Sequence, residues 1–154
     1  MKKRVIITAI FCFVTLLSFA QNENKRQSEF NLEKKAAIQG YDPVAYFKQG
    51  KAVKGKKELG FVFEGVIYYF STLENKGIFI KSPMLYEPQY GGWCAFAMGD
   101  SGEKVEIDPA TFKIIEGKLY LFYNAYFNNT LKSWNKDQVN LKVKADSNWR
   151  KFFK

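Results

Sequence analysis

Aliphatic residues are interleaved with aromatic ones along two segments of this chain. GFVFEGVIYYFS (60–71) and FKIIEGKLYLFY (112–123) carry aliphatic and aromatic residues on either side of a Glu-Gly pair, at Glu64-Gly65 and at Glu116-Gly117. Alternation puts successive side chains on opposite faces of a strand, and a glycine supplies the positive φ of a tight turn. Both segments are therefore predicted to be β-hairpins. The period then lengthens after each. A helix is predicted from Thr72 to about Lys81, with Gly77 as its weak point. A second is predicted from Asn124 to about Trp134, where Phe127, Leu131 and Trp134 recur three or four apart. Ser82-Pro83 has the form of an N-cap followed by proline, and opens a further short helix over PMLYEP. The fold class that follows is α+β: a single small domain of antiparallel β-hairpins packed on short α-helices.

The hairpins belong to a wider internal pattern. EGVIYYF (64–70) and EGKLYLF (116–122) match at a fixed offset, and an Asp-Pro-x-x-aromatic element lies upstream of each: DPVAY (42–46) and DPATF (108–112). The gap between the paired elements differs, so a degenerate duplication and convergent turn chemistry account for it equally well. Aspartate before proline suits a turn or a helix start, which gives Asp42 and Asp108 a structural reading.

The N-terminus changes the picture of where the domain works. Lys2, Lys3 and Arg4 precede an apolar run from Val5 to about Leu17, and Ser18-Phe19-Ala20 places small residues at the cleavage-site positions before Gln21. This is the layout of a signal peptide over 1–20, cleaved near Ala20, and the protein is expected to be exported to the periplasm or beyond. The run is shorter than the roughly 20 residues of a membrane span. Cleavage removes three basic groups and no acid, so the net charge of +9 becomes +6. QNENKRQSEFNLEKK (21–35) is almost wholly polar and is predicted to be a flexible linker, leaving 36–154 as the domain. The segment 48–57, KQGKAVKGKK, carries five lysines and no acid. It reads as a solvated loop or as a contact with an anionic membrane surface; an exported protein is not expected to meet nucleic acid.

Composition removes most catalytic devices. The chain has no histidine, which excludes Ser-His-Asp and Cys-His pairs and histidine-based zinc sites. Loss of Cys12 with the signal peptide leaves Cys94 as the only cysteine, without a partner for an intramolecular disulfide. No phosphate-binding glycine loop is present. Attention falls on Cys94, in PQYGGWCAFAM (88–98). A helix beginning just after Gly91-Gly92 would aim amide hydrogens at its sulfur. Met98, four residues on, would share its face and form a soft pair suited to Cu(I), with Met84 as a third donor. The competing reading makes Cys94 an inert part of the core, as free cysteine often is.

The segments GYDPVAYF (40–47), VIYYFS (66–71), SPMLYEPQYGGWCA (82–95) and KADSNW (144–149) together resemble the YHS-domain proteins, and in particular their small exported members. The resemblance spans about 36 to 150. YHS domains also occur attached to copper-transporting ATPases and phenol hydroxylases, and metal binding is attributed to them through two cysteines near the end of the second strand and the helix after it. In this chain that region, YYFSTLEN (68–75), has no cysteine. Phe70 stands where the signature has histidine, and Ala45 where metal-binding relatives often have cysteine. The resemblance therefore implies the fold but not that metal site. It offers Tyr41, Asp42 and Tyr46 from the opening motif, and Tyr90, Gly91, Gly92 and Cys94 from the core motif, as a shared ligand pocket, to which the ring of Trp93 would add an aromatic wall.

The resulting expectation is a non-enzymatic binding domain that takes a soft metal ion (copper) or a small ligand near Cys94. Two alternatives stand beside it: a thiol redox protein with Cys94 as nucleophile, and a structural or interaction domain in which Cys94 is buried.

Overall fold

A computed structural model describes residues 23–153; the signal peptide expected over 1–20 lies outside them. A first helix, α1, covers 23–29. β1 (Leu32–Glu33) and β2 (Ala36–Ala37) follow, then α2 (Ala45–Lys48) and the hairpin β3 (Lys56–Phe63) and β4 (Val66–Phe70). α3 (Leu73–Lys81), α4 (Pro83–Tyr86) and α5 (Ala95–Asp100) lead to the second hairpin, β5 (Asp108–Ile115) and β6 (Lys118–Phe122). The chain closes with β7 (Asn124–Ala125), β8 (Asn128–Asn129), α6 (Thr130–Trp134) and α7 (Gln138–Lys151). This is an α+β fold, as the sequence predicts.

Both Glu-Gly turns form as expected. In β3–β4 Phe63 faces Val66 across Glu64-Gly65, and in β5–β6 Ile115 faces Lys118 across Glu116-Gly117. Period-two burial is clear in β4, where Val66, Tyr68 and Phe70 are buried while Ile67 and Tyr69 are half-buried. β4 also pairs in parallel with β2, giving a sheet of order β1-β2-β4-β3. β6 behaves differently, because both its faces are covered. Leu119 and Leu121 enter one core with Val44, Tyr46, Tyr68 and Phe79, whereas Tyr120 and Phe122 enter a second with Met98, Trp134 and Leu141. A strand buried on both sides reads as a continuous apolar run, and KLYLF is one.

The first core centres on Phe79 of α3, whose ring lies 4.7 Å from that of Tyr68 and 5.1 Å from that of Phe70. α3 starts one residue after the predicted Thr72, which is its N-cap: the Thr72 hydroxyl accepts from the Asn75 amide at 3.0 Å. The second core depends on a close crossing of α5 and α7. A Cβ at Gly99 would stand 2.5 Å from the Leu141 carbonyl oxygen, so only glycine lets the two helices approach this far.

Two expectations are corrected. Residues 23–35 are not a loose tether but part of the domain: α1 and the β1–β2 hairpin pack on it, with Arg26 and Asn31 buried. The segment looks polar because its anchors are polar, and their partners lie far along the chain. The helix expected from Asn124 is confined to Thr130–Trp134, with Asn129 as N-cap accepting from the Leu131 amide at 3.1 Å. Residues 124–129 instead make the small hairpin β7–β8, and Phe127 sits in its turn and outside the core. The helical spacing of Phe127 with Leu131 was coincidental.

Candidate functional site

The opening motif folds around Asp42. Its Oδ1 accepts from the amides of Val44 (2.9 Å) and Ala45 (3.3 Å), closing the turn that starts α2. Its Oδ2 accepts from the Ser71 amide and hydroxyl and from Asn75 Nδ2, at 2.6–2.8 Å. The carboxylate is fully buried and surrounded by donors, so it binds the end of β4 and the start of α3 to the opening turn. No face of it is left for a ligand. Tyr46 is equally committed: its hydroxyl donates to the Pro109 carbonyl at 2.9 Å, and its ring meets Phe112 at 4.8 Å. Burial is the main cause that pushes its phenol well above the ordinary value. Tyr46 thus joins the first Asp-Pro element to the second. Asp108 caps its own turn similarly, accepting from the Ala110 amide at 3.0 Å. Tyr41 lies half-buried beneath Lys54, whose Nζ is 4.5 Å from the ring centre.

Cys94 occupies the N-cap position of α5, yet its side chain does not cap that helix. The sulfur turns into the first core, where it accepts from the Tyr123 amide at 3.4 Å and lies 3.4 Å from Thr130 Oγ1. The Thr130 hydroxyl already donates to the Tyr123 carbonyl at 2.9 Å. A hydroxyl has one proton to give, so in the contact with Cys94 the S–H is the donor. The loop is closed: Cys94 donates to Thr130, Thr130 to the Tyr123 carbonyl, and the Tyr123 amide to Cys94.

This environment does not fit a soft metal. Met98 is buried in the second core, Cys94 in the first, and Met84 is 67% exposed on α4, so the three sulfurs are not drawn into one donor set. Among the described residues no three His, Cys, Asp or Glu side chains cluster as ligands.

The rest of the core motif does meet a cavity. Tyr90 and Gly91 border an open groove of about 780 Å³ between the Pro83–Gly92 stretch, α1 and α7. Tyr90 has a left-handed backbone (φ 56°) that is unfavourable for an aromatic residue, and it is held by burial and by its hydroxyl donating to Asp146 Oδ1 at 2.9 Å. Burial first, and this carboxylate second, push the Tyr90 phenol far above its ordinary value. Gly91 (φ 59°) is required twice over, since a Cβ there would lie 2.8 Å from both Phe30 and Trp149. Asn31 secures the same bend, donating its amide to the Gly91 carbonyl (2.9 Å) and its side-chain nitrogen to that of Gly92 (3.2 Å). Trp93 points elsewhere and donates its indole N–H to the Glu29 carbonyl at 2.7 Å.

The floor of the groove is a buried ion pair absent from the sequence reading. Arg26 of α1 pairs with Glu87, both almost fully buried, and Tyr68 donates its hydroxyl to the same carboxylate. Burial opposes the charge on Arg26, but the hydrogen bond and charge of Glu87 outweigh it and hold the guanidinium above its ordinary value. The guanidinium also lies over the Phe30 ring, 4.5 Å from its centre. The walls are aromatic: Phe30, Tyr90, Trp149 and Phe153, the Trp149 and Phe153 rings being 5.2 Å apart. Lys118 and Arg150 are exposed at the rim, and among the described residues neither enters an ion pair.

Of the eight residues proposed as one pocket, then, Tyr90 and Gly91 line this groove. Tyr41, Asp42, Tyr46 and Cys94 hold the fold elsewhere, and Gly92 and Trp93 shape the bend behind it. Arg26, Glu87 and Trp149 were missed as site residues, although Glu87 and Trp149 fall within the motifs SPMLYEPQYGGWCA and KADSNW. The signal for Arg26 was slight: it stands four residues before Phe30, the only aromatic in the 21–35 segment, which places both on one helical face.

No protein-family model, curated protein or solved structure matches this chain.

Proposed function

We propose that this protein is a small, exported, YHS-like binding domain without catalytic activity, and that its ligand occupies the groove between Tyr90 and Trp149. One observation carries the reading: an aromatic-walled groove combines a charge-neutral floor with unpaired cations at its rim. Both acids facing it are engaged, Glu87 by Arg26 and Tyr68, and Asp146 by Tyr90. Lys118 and Arg150 remain to receive a negative charge. The best occupant is a small organic anion with an aromatic or aliphatic body and an acidic head. This favours the small-ligand branch of the sequence expectation over copper. It also moves the seat away from Cys94, whose sulfur is closed in by its own hydrogen bonds.

The test uses anilinonaphthalene sulfonate as a fluorescent probe, with aromatic carboxylates and their neutral amides as competitors. The carboxylates are expected to displace the probe and the amides to fail. Lys118→Glu with Arg150→Glu is expected to weaken binding about tenfold at unchanged melting temperature. Equal competition by acid and amide, or binding indifferent to the charge reversal, rejects this ligand class. Absence of any probe binding to the native protein rejects the groove.

A further inference from the structure

Four two-residue hairpin turns of the same geometry occur among the described residues. Both turn residues have positive φ in each: Lys34 and Lys35 (50° and 70°), Glu64 and Gly65 (45° and 80°), Glu116 and Gly117 (51° and 71°), Tyr126 and Phe127 (50° and 65°). Such turns favour Asn, Asp and Gly, because a Cβ disfavours the left-handed conformation. Three of them carry only lysine, glutamate or glycine. The fourth places two aromatic rings there and gives neither ring anything to pack on: Tyr126 is 92% exposed and Phe127 112%. Neither folding nor turn geometry accounts for these side chains. They weaken the turn and expose a large apolar surface.

From this tip we infer a membrane contact: Tyr126 and Phe127 insert into the interface of an anionic lipid surface, and the exposed lysines Lys48 and Lys51 meet its head groups. Aromatic rings favour the boundary between head group and acyl chain, and the chain from Gln21 onward, with 21 basic and 15 acidic residues, is drawn to anionic lipid. The two parts share a base. Asn124, at the foot of the tip, donates to Thr111 Oγ1 at 3.0 Å, and Tyr46, two residues before Lys48, donates to the Pro109 carbonyl at 2.9 Å. Both elements therefore contact the Asp108–Phe112 segment. Lys132 and Lys136 are exposed just beyond the tip. No helix of the described residues is long and apolar enough to cross a membrane. It is independent of the groove.

The experiment is co-sedimentation of the chain from Gln21 onward, which contains every described residue and omits the apolar run of 5–17. Vesicles of phosphatidylcholine with phosphatidylglycerol are compared with phosphatidylcholine alone. Binding is expected only to the anionic vesicles, and it should weaken as salt is raised. The double substitution Tyr126→Asn, Phe127→Gly is expected to lower partitioning about tenfold while raising the melting temperature, since it installs the favoured turn pair. Lys48→Gln with Lys51→Gln should weaken binding several-fold. A Phe127→Trp reporter should shift its emission to shorter wavelength on anionic vesicles only. Failure of the parent chain to bind, or binding unchanged by the turn substitution, overturns the proposal. So does concentration-dependent self-association that the turn substitution abolishes, which would assign the tip to a second copy of the chain.

Discussion

Ser71 gives both its amide and its hydroxyl to a single carboxylate oxygen of Asp42, at 2.8 and 2.6 Å. With Asn75 on the same oxygen and the amides of Val44 and Ala45 on the other, donors on three chain segments converge on one buried side chain. Asp42→Asn exchanges one acceptor oxygen for a donor and leaves at least one N–H or O–H facing another. The expected loss is about 3 kcal/mol, against about 1–2 kcal/mol for Ser71→Ala. Urea denaturation of both single variants and the double variant measures the coupling. If Asp42→Asn unfolds at the parent's urea midpoint, the carboxylate is not the latch described here.

Arg26 and Glu87 attach the N-terminal helix to the domain. Removing Arg26 leaves Glu87 charged and buried, at a cost of about 3–5 kcal/mol, whereas removing Glu87 leaves Arg26 with the half-buried Glu64 at 3.5 Å. Glu87→Gln is expected at the lower end, because the amide still accepts from Tyr68 and Arg26. Arg26→Met combined with Glu87→Leu should recover part of the loss. A chain starting at residue 36, where the polar pattern suggests the domain begins, should melt well below one starting at residue 21. Equal melting temperatures for the two would restore the linker reading.

That difference shows what the sequence makes legible. The hairpins, the helix after Thr72 and the Ser82-Pro83 helix depend on neighbours within a few residues, and local pattern reveals all three. The roles of Asp42, Arg26 and Glu87 depend on partners between 19 and 61 residues away. Asp42 already had a turn-forming reading, but nothing in its surroundings reveals that Ser71 and Asn75 complete it. Gly91 could be singled out from the sequence, whereas the two rings that exclude a Cβ there, Phe30 and Trp149, come from opposite ends of the domain. Phe127 misleads in the other direction, since an aromatic residue at helical spacing from Leu131 and Trp134 usually marks a core.

Cys94 sits at 0% exposure with its sulfur both donating and accepting. The native protein is therefore expected to resist a soluble disulfide reagent for hours and to react at once in guanidinium. Thr130→Val removes the acceptor of the S–H and the donor to the Tyr123 carbonyl, and should cost about 1–2 kcal/mol. A Cu(I) titration of the reduced protein should give the same curve with Cys94→Ser. Rapid modification of the native thiol near neutral pH would instead favour the thiol-redox alternative.

Tyr46, Tyr68 and Tyr90 all have phenols raised above the ordinary value of 10.0, chiefly because burial penalises the anion. Asp146 reinforces this at Tyr90, and Glu87 at Tyr68. The linkage has one sign for all three. The folded state retains these protons more tightly than the unfolded state, so their contribution to stability is complete below pH 10 and declines as pH rises above it. Ultraviolet titration should show a first, reversible step from solvent-exposed phenols. A second step should follow, cooperative and coincident with loss of the far-ultraviolet circular dichroism, as the buried phenols ionise on unfolding. Asp146→Asn removes the acceptor charge from Tyr90 and should ease its ionisation in the folded protein. Titration of every tyrosine in one non-cooperative step near pH 10 would show that these phenols are open to solvent, and with them the wall of the groove.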